Sequence, residues 1–212
     1  EVFLTAWDAL VLQGGLTSGR WALVHAGASG VGTAAIQIAK AIGARIAVTC
    51  SAGKAPLCSE LGADVVLARS PHDWLADATA AVPAGFDVVL DVIGGEEIDR
   101  NLQAVALRGT IVQVGLMGGG STNVNVGLLL AKRCTWVGTT LRTRPLEEKV
   151  ALLMEATRRI QEAPGVSFAE GGLDFFRRST WYASSDGAAR CSPPAASSRS
   201  ACARPGSSTG CW

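Results

Sequence analysis

The chain is poor in the residues that hold metals. Only His25 and His72 occur in 212 residues, and the six cysteines, Cys50, Cys58, Cys134, Cys191, Cys202 and Cys211, form no C-x-x-C pair. No zinc or other metal site is expected from such spacing, and Cys50, Cys58 and Cys134 read as reduced, packed thiols. Net charge is also lacking. Nineteen Lys and Arg face 18 Asp and Glu, a balance of +1, so neither nucleic acid nor a membrane surface is an expected partner. No apolar run reaches the roughly 18–20 residues of a membrane span. The opening residues, EVFLTAWDAL, carry no initiator Met, basic n-region or signal-peptide pattern. The expectation is a cytoplasmic protein whose chain starts partway along a longer one.

One absence is local. Residues 184–212 contain no Leu, Ile, Val, Met or Phe. Such a segment buries too little apolar surface to offset the entropy of ordering it, so a disordered C-terminal tail is expected. Its Ser, Ala, Arg, Pro, Gly and Cys resemble GC-rich DNA read out of frame, and the hypothesis is a frameshifted tail with the break in the poorly defined segment 163–183. Resequencing across codons 155–185 tests it. An intact frame with no nearby alternative encoding a strand-rich ending rejects it.

What is present, from Ala22 to Ile160, is a steady alternation of strand and helix signals. RWALVHA is followed by a helix over about 31–42, with Val31, Ala34, Ala35, Ile38, Ala39 and Ile42 at helical spacing. ARIAVTC, ADVVLA, FDVVLDVI, GTIVQVGL and CTWVGTTL supply further strands. Helices are expected near 54–61, over HDWLADATAAV, and through Ile98, Leu102 and Val105. A closing amphipathic helix is striped by Val150, Leu153, Thr157 and Ile160. The strand runs are apolar almost throughout, the pattern of strands buried on both faces. Repeated strand–helix units predict an α/β fold: a doubly wound parallel sheet of the Rossmann type over residues 1–162, with six strands in the order 3-2-1-4-5-6.

In HAGASGVGTAA the first strand ends and the first long helix begins. Gly27, Gly30 and Gly32 permit a tight turn, close backbone approach and close helix–strand packing. The free N–H groups of the first helical turn, with the helix dipole, favour an anion such as a pyrophosphate. The spacing fits Gly27-x-Ser29-Gly30-x-Gly32, and also Gly30-x-Gly32-x-x-Ala35, as a dinucleotide fingerprint. A site for NAD ends the second strand in an acid that binds the ribose hydroxyls. This strand ends VTCSAGK, without one. A hydroxyl at Ser51 and a cation at Lys54 instead suit the 2′-phosphate of NADP, although Lys54 also reads as an ordinary solvated lysine. Arg69 either adds positive charge on the adenine side or is plain surface. Asp91 is a strand-end acceptor for backbone N–H groups or a neighbour of the nicotinamide ribose. Met117 touches the nicotinamide face or fills a gap. His25 has no legible Ser or Cys partner and reads as a strand-end histidine bonded to backbone. His72 reads as a surface residue at a helix start.

FLTAWDAL, HAGASGVGTAAIQIAK, LGADVV, FDVVLDVIGG, LRGTIVQVGLMGG and LLLAKR together resemble the medium-chain dehydrogenase/reductase superfamily, and within it the zinc-free quinone oxidoreductases (NADPH:quinone reductase and zeta-crystallin-like). The resemblance runs from Glu1 to about Ile160. It implies that Ser29, Gly30, Val31 and Gly32 meet the pyrophosphate of NADPH and that Ser51 and Lys54 bind its 2′-phosphate. Ile93, Gly94, Gly115, Leu116 and Met117 border the nicotinamide and ribose. Arg69 stands where relatives often carry Tyr. The implied reaction is hydride transfer to a quinone or conjugated carbonyl, with an enoyl-thioester reductase or a truncated, non-catalytic dinucleotide-binding module as alternatives. Relatives pair as homodimers through the sixth strand, here Thr135–Leu141. They also carry an N-terminal GroES-like domain, whose absence from this sequence is the expectation here, and with it weak NADPH binding and little turnover.

Overall fold

The computed structural model describes residues 1–69 and 73–162, without the side chains of 160–162. His72 and the expectations for 163–183 and 184–212 lie outside the described residues.

The first helix, α1 (Val2–Trp7), runs directly into a π-helical turn, Asp8–Gln13. Strand β1 (Trp21–Val24) follows, then α2 (Gly30–Ala41), β2 (Arg45–Cys50), a 3-10 turn at Ala52–Lys54 and α3 (Ala55–Glu60). Next come β3 (Val65–Ala68), α4 (Trp74–Ala81), β4 (Phe86–Asp91), α5 (Glu97–Ala104) and β5 (Val105–Gln113). The series ends with α6 (Val126–Lys132), β6 (Thr135–Gly138) and α7 (Leu146–Glu162). The six strands form one parallel sheet in the order β3-β2-β1-β4-β5-β6, as the strand–helix alternation predicts.

Burial follows position in that sheet. The inner strands β1, β2 and β4 are buried nearly end to end, whereas the edge strands β3 and β6 are mostly half-buried or exposed. Alternate residues face opposite ways. Val24, Val48, Val88 and Leu90 pack with Leu10, Ile36 and Ile38 of the π-turn and α2. Leu23, Ala47, Val89 and Ile111 pack with Trp74, Phe86 and Leu102 on the α4–α5 side. The strand order reverses between β1 and β4, and a crevice opens beyond their carboxyl ends, where such sheets bind ligands.

Two local expectations are corrected. Val105 does not continue the helix of Ile98 and Leu102: its backbone is extended, and it opens β5 opposite Phe86. The pairing then shifts register between Phe86 and Val88, with Arg108 at a φ of 62°. Helical spacing carries through that bulge only by coincidence. In α7 the buried residues are Leu152 and Ala156, while Val150 and Leu153 are exposed. The helix is amphipathic but turned so that its smaller face meets the domain. No described helix is long and apolar enough to cross a membrane.

Candidate functional site

Strand β1 hands over to α2 through Ala26–Ser29. Ser29, with extended backbone, caps the helix: its Oγ accepts from the Gly32 N–H at 3.1 Å. Such a cap satisfies one of the free donors at a helix start. A Cβ on Gly27 would lie 2.5 Å from Val48 Cβ, and one on Gly32 2.4 Å from Ala26 O. These two glycines therefore let the turn and the helix lie directly on the sheet. At Gly30 the nearest atom to an added Cβ is Val2 Cγ1, at 3.1 Å. Among the described residues the N–H groups of Gly30 and Val31 have no protein acceptor, so the helix start offers bare donors to an anion.

Two clefts meet at Ser29. One, of about 390 Å³, lies on the β2–β3 side and is lined by Ser29, Cys50, Ser51, Lys54 and Arg69, with Ala26, Ala28 and Ala52 completing it. It holds two cationic side chains and no carboxylate. Ser51 begins the 3-10 turn without using its hydroxyl as a cap. The other cleft, of about 520 Å³, lies on the β4–β5 side and is lined by Ser29, Gly30, Val31, Val92, Gly115 and Met117. It is closed on its flank by Val2 and Thr5 of α1 and by Thr140–Arg142. A dinucleotide fits this division, with a diphosphate at the helix start and one half in each cleft.

The second cleft has its shape because the loop after β6 is held against the π-turn that follows α1. Buried Asp8 accepts from Thr139 Oγ1 at 2.6 Å and from Arg144 Nη2 at 2.7 Å. Beneath both clefts lies a buried polar group. His25 Nδ1 meets Thr49 Oγ1 at 3.0 Å and its Nε2 meets Asn101 Oδ1 at 2.7 Å. Asn101 Nδ2 donates to Asp91 Oδ2 at 3.0 Å, and Asp91 Oδ1 accepts from the N–H groups of Ile93 and Gly94 at 2.6 and 3.0 Å. Asp91 is thus a strand-end acceptor for backbone. His25 differs from its expectation: side chains, not backbone groups, bind its ring.

Of the residues proposed from sequence, Ser29, Gly30, Val31, Gly115 and Met117 border the second cleft, and Ser29, Ser51, Lys54 and Arg69 border the first. Gly32 is buried under the turn. Ile93, Gly94 and Leu116 line neither cleft. Gly94 bridges to Gly119, whose O would lie 2.8 Å from an added Cβ, and Leu116 points to solvent, 56% exposed. The glycines after β4 and β5 thus let the two loops pack on each other. Thr5, Val92, Val114, Thr140 and Arg142 enter the site unannounced. Val92 and Val114 stand directly after β4 and β5, while the Asp8–Arg144 pair holds the Thr140–Arg142 loop near Thr5.

Neither buried thiol in α3 and β2 is a nucleophile. Burial pushes the Cys50 thiol up. Burial, reinforced by its neighbour Cys50, pushes Cys58 up to about 12, so both stay protonated. Among the described residues no group of three or more His, Cys, Asp or Glu is placed to hold a metal ion.

The family model for zinc-binding dehydrogenases matches residues 30–156. Over 116 residues, 53% of the chain, the sequence is 40% identical to a subunit of the phenolphthiocerol/phthiocerol polyketide synthase of Mycobacterium tuberculosis, covering 5% of that protein. A structure provisionally described as the enoyl reductase domain of a polyketide synthase superposes with a TM-score of 0.59 at 30% identity, over 76% of this chain and 87% of that one. A structure provisionally described as an alcohol dehydrogenase, from Sinorhizobium meliloti 1021, superposes with a TM-score of 0.65 at 34% identity, over 74% of this chain and 46% of that one. The chain thus spans a small part of the polyketide synthase and under half of the dehydrogenase. With the sheet order, the bare helix start and the family match in agreement, the chain belongs to the zinc-binding dehydrogenases of the medium-chain dehydrogenase/reductase superfamily, of which it is the NAD(P)-binding part.

Proposed function

We propose that the crevice binds NADPH and serves reduction of a carbon–carbon double bond conjugated to a thioester carbonyl. The observation carrying the coenzyme choice is the first cleft, with Lys54, Arg69 and Ser51 and no carboxylate. A 2′-phosphate finds cations and a hydroxyl there, while nothing in the cleft accepts from the ribose hydroxyls of NADH as an acid would. The acceptor rests on the polyketide synthase and enoyl reductase relatives. The quinone reading has the GLMGG stretch behind it, but none of these relatives is named for quinone reduction.

When bound, the coenzyme supplies the hydride. The chain's own residues bind and orient. The N–H groups of Gly30 and Val31 hold the diphosphate, Ser51 and Lys54 hold the 2′-phosphate, and Val92, Gly115 and Met117 form a wall for the nicotinamide. Orientation of this kind lowers a barrier by several kcal/mol only when the ring is held from both faces. The described residues form one such wall, so slow turnover is expected of the purified chain.

Calorimetric titration tests the coenzyme choice. A hydrogen-bonded charge pair is worth about 1.5–3 kcal/mol, so NADPH should bind at least about tenfold tighter than NADH. Equal binding, or none of either, rejects the assignment. NADPH oxidation measured with a short enoyl thioester and with a simple quinone separates the acceptors. Turnover of the quinone alone, or full activity from this chain, counts against the proposal. The proposal also takes β6, the outer strand with Trp136 41% exposed, as a homodimer edge. Sedimentation should show a dimer for the wild type and a monomer for Trp136→Glu, and a monomeric wild type rejects the dimer.

A further inference from the structure

We infer that His25 and Asn101 are positioning residues that hold the nicotinamide-side turn, Asp91–Gly94, in register with the diphosphate turn, Ala26–Ser29. The inference rests on the NADPH reading above. Thr49, His25, Asp91 and Asn101 come from β2, the end of β1, β4 and α5, and none is more than 2% exposed. Their polar atoms form one continuous path. Asn101 Nδ2 donates to Asp91 Oδ2 at 3.0 Å, and Asn101 Oδ1 faces His25 Nε2 at 2.7 Å. His25 Nδ1 meets the Thr49 hydroxyl at 3.0 Å, and the hydroxyl oxygen accepts from the Ala26 N–H at 3.4 Å.

One end of this chain of bonds is therefore the amide of Ala26, the first residue of the diphosphate turn, at a φ of 55°. The other end is Asp91. Its carboxylate takes the Ile93 and Gly94 amides, and its backbone O takes the Val114 amide at 2.7 Å beside Gly115. Backbone bonds tie the end of β1 and the diphosphate turn to the neighbouring strands: the His25 N–H donates to Leu90 O at 3.1 Å and the Gly27 N–H to Thr49 O at 2.9 Å, while the β1–β4 register ends at Val24 opposite Leu90. The side-chain path adds the link from Asp91 to Ala26. Trp74 stacks edge-on against the His25 ring at 4.9 Å and is itself tied to Glu97, so the ring cannot swing away. Apolar side chains of the same shape would fill this space at little cost to folding. A continuous chain of buried polar bonds between the two coenzyme turns instead gives a defined alignment, because breaking any link strands buried partners.

The test compares full coenzyme with its adenine half in the full chain. Asn101→Leu and Thr49→Val break the chain with near-isosteric groups, and Thr49→Ser keeps the hydroxyl. Loss of one bond to a charged or networked group corresponds to about tenfold in affinity. NADPH should therefore weaken about tenfold in Asn101→Leu and Thr49→Val, and the fluorescence of its bound nicotinamide should move toward that of free coenzyme. Adenosine 2′,5′-bisphosphate, which reaches the first cleft and the helix start but not the nicotinamide side, should bind within about twofold of wild type. Thr49→Ser should match wild type in both. Equal losses for NADPH and the bisphosphate overturn the inference, as does unchanged NADPH binding and fluorescence in the broken variants. Should Asn101→Leu fail to fold, Thr49→Val against Thr49→Ser decides by itself. A wild type that binds neither ligand overturns the NADPH reading, and the inference with it.

Discussion

Gly30 and Gly32 are two residues apart and face opposite demands. An added Cβ at Gly32 would enter the space of Ala26 O, 2.4 Å away, while at Gly30 it would only touch the movable Val2 side chain. Overpacking against rigid backbone makes Gly32→Ala the worse folding mutant, by about 3 kcal/mol, read as a lower denaturation midpoint. Gly30→Ala should fold almost as wild type but bind NADPH more weakly, because its methyl enters the cleft. Lys54 separates the two nucleotides. Lys54→Met should weaken NADPH about tenfold and leave NADH unchanged, measured by titration. An equal effect on both would place Lys54 outside the 2′-phosphate site. The need for small residues between strand and helix was legible in HAGASGVG, although such a turn serves packing as well as anion binding. Which glycine packs and which one faces the cleft was not legible, because that depends on how Val48 and Ala26 lie against the turn.

Between elements, two polar contacts set the frame. Asp8 in the π-turn is 2% exposed and pairs with Arg144 after β6. Removing one partner of a buried ion pair costs about 3 kcal/mol, so Asp8→Ala should lower the melting temperature by roughly 10 °C. It should also loosen Thr140 and Arg142 at the second cleft. A melting curve matching wild type would refute this. Asp64 joins α2 to β2 through Lys40 Nζ and the Ile46 N–H, both at 2.8 Å. Burial works to raise its carboxyl pKa, but these two bonds together with the charges of Lys40 and Arg45 outweigh it and hold the pKa below the ordinary 3.8. A depressed carboxyl adds stability above its unfolded pKa and loses it as pH falls through the lower folded value. Asp64→Asn should therefore melt below wild type at neutral pH, and the gap should close in acid below about pH 4. A gap constant with pH would sink the assignment. The face of α7 shows where periodicity stops: Val150 and Leu153 repeat correctly, yet Leu152 and Ala156 are the residues that pack.

For the whole domain, ligand and fold are one equilibrium. A coenzyme that binds only the folded chain stabilises it by about 2.7 kcal/mol at a hundredfold excess over its dissociation constant. NADPH should raise the melting temperature clearly and NADH at the same concentration less. No shift with either would mean that the crevice does not hold coenzyme.

The sequence alone determined the parallel sheet and its strand order, since runs such as IAVTC and FDVVLD suit only strands covered on both faces, and short strand–helix units wind one way. It also marked the glycine turn at the start of α2, whose first N–H groups lack protein acceptors among the described residues. Only the tertiary structure decided the walls of the crevice and the links beneath it. Asp8 meets Arg144, and His25 meets Asn101, across 136 and 76 residues of chain. Contacts of that span follow from how layers stack, which no local pattern encodes.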